Sequence, residues 1–134
     1  MEAVYCDGNQ VRELDTSGVP NLITLSCCSN GLEKLHLGTA PCLERLACGP
    51  NRLSSLDLSD VPKLVELSCS ANNIGRLDLS RVPALAGLSC PCNKLSELDL
   101  SGVHNLVGLD CWDNLISLLL PNEWVIFEEF NKSG

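Results

Sequence analysis

At 134 residues and 14.4 kDa the chain has the length of one modest domain, which excludes a multidomain enzyme. An apolar share of 45% and a mean hydropathy of +0.13 exclude a disordered chain. Nine Lys/Arg against seventeen Asp/Glu, a net charge of −8, argue against holding nucleic acid or an anionic membrane through phosphate contacts.

From its first residues the sequence repeats with a period of 21. The first coil runs from Met1, in the column later filled by Leu22 and Leu43, through Val4 and Cys6 to Asn9 and Val11. The second repeats these positions as Leu25, Cys27, Asn30 and Leu32, and the third as Leu46, Cys48, Asn51 and Leu53. Leu67, Cys69, Asn72 and Ile74 mark the fourth, and Leu88, Cys90, Asn93 and Leu95 the fifth. The sixth carries Leu109, Cys111, Asn114 and Ile116. Past residue 121 the pattern gives way to Trp124, Phe127 and Phe130, the two Phe falling in Leu columns. Residues 1–121 are therefore read as six coils, and 122–134 as an aromatic cap or partial coil and tail.

Within each coil, triplets such as Leu67-Ser68-Cys69 alternate in and out as a short strand does, so equivalent strands stack in parallel about 4.8 Å apart. The remaining residues, near Leu-Asp-Leu-Ser-x-Val-Pro, leave no room for a full helix, and an extended or turn-like return is expected.

These columns resemble the leucine-rich repeat family, and the Cys in each coil resembles the 21-residue, cysteine-ladder subtype of bacterial internalin J-like surface proteins. The resemblance covers residues 1 to about 121. It implies a solenoid with a parallel sheet on its concave face, little helix on its convex side, and protein recognition by the concave strip. Two departures from the family pattern stand out: the start Met1-Glu2-Ala3-Val4-Tyr5-Cys6-Asp7 has the features of neither an export signal nor a capping domain, and no wall anchor is seen.

The Asn column, Asn9, Asn30, Asn51, Asn72, Asn93 and Asn114, is expected to turn inward and bond backbone groups of its own and adjacent coils. The Cys column, Cys6, Cys27, Cys48, Cys69, Cys90 and Cys111, admits disulfides, metal or packing. In-register strands send neighbouring Cβ vectors side by side, which aims a disulfide poorly, and a line of thiols lacks tetrahedral convergence. Buried free thiols packed as small hydrophobes are the favoured reading, with no metal and no cofactor. Cys28, Cys42 and Cys92 break the column and are expected nearer the surface.

Enzymatic chemistry is not expected. His36 replaces an Asp on the outer face and His104 a Pro in the return turn, and Cys42, nearest to His104 in repeat phase, is three coils away. The Asp column of Asp15, Asp57, Asp78 and Asp99 is read as a solvated face satisfying turn amides, with a bridging cation as the alternative.

Candidate partner-binding residues on the concave strip are Tyr5, Asp7, Arg45, Glu66, Asp110 and Trp112, with Arg45 and Glu66 close enough to pair. The partner is expected to be a protein, with neither nucleic acid binding nor membrane insertion, and self-association is expected through the uncapped edge of the first strand. A recognition module of a bacterial surface or secreted internalin-like protein is the first reading. An intracellular leucine-rich repeat module or the recognition half of a pathogen effector is the second, because unpaired cysteines suit a reducing cytosol. A structural spacer is the third.

Overall fold

The computed structural model describes residues 2–115 and the strand Ser117–Leu119. Ile116 and residues 120–134, hence the aromatic segment read as a cap, lie outside the described residues. Six three-residue strands form one parallel sheet: β1 (Ala3–Tyr5), β3 (Thr24–Ser26), β5 (Arg45–Ala47), β6 (Glu66–Ser68), β7 (Gly87–Ser89) and β9 (Gly108–Asp110). Each pairs with the equivalent strand one repeat away, so Val4, Leu25, Leu46, Leu67, Leu88 and Leu109 lie opposite one another in a single row. Five complete turns of 21 residues separate the first of these strands from the sixth. The chain is a leucine-rich repeat solenoid with a concave parallel sheet, and no helix forms among the described residues.

The strands are short because only the central residue of each points inward. Leu25, Leu46, Leu67 and Leu88 are buried, whereas their flanking residues are exposed or half-buried. Inside, the leucines pack with Leu22, Leu43, Leu64 and Leu85 and with the valines Val61, Val82 and Val103 of the return turns. Each return tightens through a bond three residues back, as when Leu64 N–H donates to the Val61 carbonyl and Leu85 N–H to that of Val82. Three residues past β1, β3, β6, β7 and β9 the backbone is left-handed, at Gly8, Ser29, Ala71, Cys92 and Asp113. In the third coil this column holds Pro50, whose ring forbids that geometry, and there the Gly49–Pro50 peptide is cis.

On the convex side, β2 (Glu13–Asp15) pairs with β4 (Lys34–His36), and β8 (Glu97–Asp99) with β10 (Ser117–Leu119), each in parallel. Between these two pairs the outer segments of the third and fourth coils form no ladder. The gap holds Asp57 and Asp78, followed by Asp99 one coil on, and carboxylates directly opposite disfavour pairing. Where β2 meets β4, Asp15 instead faces His36 and Glu13 faces Lys34. The step from His36 to Asp57 is also unpaired, which charge does not explain.

Candidate functional site

Outward residues of the concave sheet form two rows along the solenoid. One runs Ala3, Thr24, Arg45, Glu66, Gly87, Gly108, and the other Tyr5, Ser26, Ala47, Ser68, Ser89, Asp110. Small side chains in the middle of the second row leave a trough of about 550 Å³, lined from Tyr5 at one end to Asp110 at the other. Tyr5 is 71% exposed, Arg45 and Glu66 are exposed, and Asp110 and Trp112 are half-buried.

Asp7 is committed to the fold, a role its position in the repeat does not disclose. Its carboxylate accepts from the Ser26 hydroxyl at 2.8 and 2.9 Å and from the Cys28 backbone N–H at 2.7 Å, bracing the first coil against the second. Arg45 and Glu66 are opposite one another in register, yet the expected ion pair between them is absent. The Glu66 carboxylate instead lies over Gly87, in the space a Cβ at Gly87 would need. Among the described residues the close contact of this kind is a hydrogen bond between His36 Nε2 and Glu13 Oε1 on the convex side, at 2.9 Å and half-exposed.

The Asn column stitches coils together. In Asn72, Nδ2 donates to the carbonyls of Cys69 in its own coil and Cys48 in the coil before, both at 3.1 Å, while Oδ1 accepts from the Leu53 N–H at 2.9 Å. Asn51, Asn93 and Asn114 repeat the pattern, and Asn30 does so with Cys6, Cys27 and Val11. Asn9 departs from expectation: it is exposed and donates only within its own coil, to Cys6 and Asp7.

All nine cysteines are free. Cys27, Cys48, Cys69, Cys90 and Cys111 are buried, while Cys6, at the first coil, and the nonladder Cys28, Cys42 and Cys92 are half-buried. Burial pushes the Cys27 and Cys69 thiols up to about 12, with Cys6 adding to the shift at Cys27, and raises Cys48, Cys90 and Cys111 as well. Such thiols stay protonated near neutral pH and are poor nucleophiles and poor metal ligands. Among the described residues no group of three His, Cys, Asp or Glu is placed to hold a metal, and no helix is long and apolar enough to cross a membrane.

The convex Asp column closes turns. Asp15, Asp57, Asp78 and Asp99 each accept from the backbone N–H two residues on, at 2.9 to 3.0 Å, and Asp57 and Asp99 also accept from the Ser59 and Ser101 hydroxyls at 2.6 Å. These serine bonds hold all four carboxyls below their ordinary range. Sequence reasoning missed Gly49, where a Cβ would strike the backbone of Ser70 in the next coil. The available signal was a lone glycine in a column otherwise filled by Asp7, Cys28, Ser70, Pro91 and Trp112.

No family model matches the sequence, and no curated protein matches it. Among solved structures the chain is similar to the functional domain of InlJ from Listeria monocytogenes, described as including a cysteine ladder. The TM-score is 0.84 at 32% identity over 87% of this chain, which spans 26% of that one. Repeat length, ladder and superposition together identify the chain as a leucine-rich repeat protein of the cysteine-ladder kind, resembling bacterial internalin J-like proteins.

Proposed function

We propose that the chain is a nonenzymatic protein-recognition module of a bacterial surface or secreted internalin-like protein. In this reading residues 1–121 form the module and 122–134 close its far end. The observation that carries it is the open trough of about 550 Å³ along the concave sheet, floored by small side chains. Tyr5, Arg45, Glu66, Asp110 and Trp112 supply contacts around that floor, and Asp7 holds the rim through Ser26 and Cys28. Aromatic and arginine side chains are the residues that most often anchor such interfaces.

Cell fractionation with an intact mass of the native product tests the setting, and a product confined to the cytosol overturns surface or secreted placement. For the recognition itself, a partner captured by crosslinking is titrated against Tyr5→Ala, Arg45→Ala and Trp112→Ala, with Lys63→Ala in an exposed return turn as control. Losses of roughly fivefold or more confined to the concave set are expected, and equal affinities across the panel overturn the reading in favour of a spacer. A second reading, an intracellular module, draws on the nine cysteines free of disulfides. Self-association through the edge of β1 belongs to the same proposal, and light scattering over a concentration series tests it.

A further inference from the structure

Charge and relief along the trough narrow the kind of partner it takes. Arg45 and Glu66 are register neighbours that do not neutralise one another, so each presents its charge to solvent. Two coils beyond Glu66 and in the neighbouring row, Asp110 adds a second carboxylate at the far end, its backbone about 10 Å further along the axis at the spacing of parallel strands. Between the ends the floor of the second row is low, with Ala47, Ser68 and Ser89 in line, while the Glu66 carboxylate leans over Gly87 in the first row. The Ser68 and Ser89 hydroxyls make no hydrogen bond within the described residues, unlike that of Ser26, which Asp7 occupies. A smooth floor with spare hydroxyls suits a main chain lying close to it, with peptide groups rather than bulky side chains against the sheet.

Resting on the recognition reading above, we propose that the trough binds an extended polypeptide segment of net positive charge, laid along the solenoid axis across the strands. Running from the Tyr5 end towards Asp110, this segment places an acidic side chain on Arg45, a basic one on Glu66 and a second basic one on Asp110. An extended chain advances about 3.3 Å per residue, so the two basic side chains stand about three residues apart and the acid one or two residues before the first. The net charge of −8 draws such a segment in from a distance, and added salt weakens that attraction.

The test is selection from a displayed library of linear random peptides against the full chain, in parallel with the charge-exchanged double variant Arg45→Glu, Glu66→Arg. Both side chains are exposed and unpaired, so the double variant should keep the parental thermal midpoint. The parent is expected to enrich peptides with basic residues three apart preceded by an acid, and the double variant to invert the order of the first acid and base. Ser68→Trp, which fills the trough, should weaken the selected peptides by roughly tenfold or more. No enrichment, or the same sequences from parent and double variant, overturns the basic-peptide assignment and leaves recognition by the concave face standing. Enriched peptides whose binding neither Ser68→Trp nor the charge exchange reduces overturn the concave face itself.

Discussion

Asn72 carries more of the fold than its size suggests, because one amide serves two coils. Asn72→Ala strands the Leu53 N–H in a buried turn and takes from the Cys48 and Cys69 carbonyls one of the two amide bonds each accepts, the others coming from Asn51 and Asn93, at a cost of about 1–3 kcal/mol in a denaturant titration. Asn9→Ala, at an exposed turn with bonds only inside its own coil, should shift the midpoint far less. Gly49 is set by space. Because any Cβ there meets the Ser70 backbone, Gly49→Ala forces two coils apart and should destabilise by about 1–3 kcal/mol, whereas Gly102→Ala, with nothing within 4 Å, should be close to neutral. Measuring both by thermal melts separates the collision from a general effect of replacing glycine.

At the scale of the element, the period carries most of the architecture. Val4 and the five Leu of its column have to face the same way, and that requirement alone fixes the register of the six-stranded sheet. The inward Asn follows from the same logic for the coils that have a predecessor. Less legible was whatever depends on a single side chain's direction rather than on its column. Asp7 occupies an outward position, yet a serine and an amide of the next coil capture it, and Glu66 turns from Arg45 towards the space that Gly87 leaves open. Nor does the repeat say that the outer strands pair at the two ends of the solenoid and not between them, since Leu56 and Leu77 match Leu14 and Leu98 in phase. The cysteine ladder makes its own prediction. With Ellman's reagent at mildly alkaline pH, the half-buried Cys28, Cys42 and Cys92 should react well before the buried ladder thiols, which become available only when the coils open. Mass mapping of early adducts checks the order, and early labelling of Cys69 would contradict it.

Over the whole molecule, the convex carboxyls and the ladder thiols make stability depend on pH in opposite senses at the two ends of the range. The four convex carboxyls titrate below their ordinary 3.8 when folded, so their contribution is present above that value and is lost as the pH falls through the lowered ones. The ladder thiols act in the opposite sense. Raised above their ordinary 9.0 in the folded chain, they contribute stability that is present below pH 9.0 and is lost as the pH climbs towards about 12, where Cys27 and Cys69 ionise. Denaturation midpoints should therefore form a plateau between these limits and fall on both sides. Cys69→Ala should flatten the alkaline fall while leaving the acid limb alone. An alkaline limb unchanged by that substitution would assign the fall to other groups.

The asparagine bonds also have a direction. Each side chain from the second coil onward reaches back to the Cys carbonyl 24 residues earlier and accepts the N–H 19 residues earlier, and none reaches forward in this way. A coil is thus sealed by its successor. Because the N-terminal part of a chain leaves the ribosome first, the inward N–H of a coil, as at Leu53 or Ile74, has no side-chain partner until the next asparagine has been synthesised, one such bond per 21 residues.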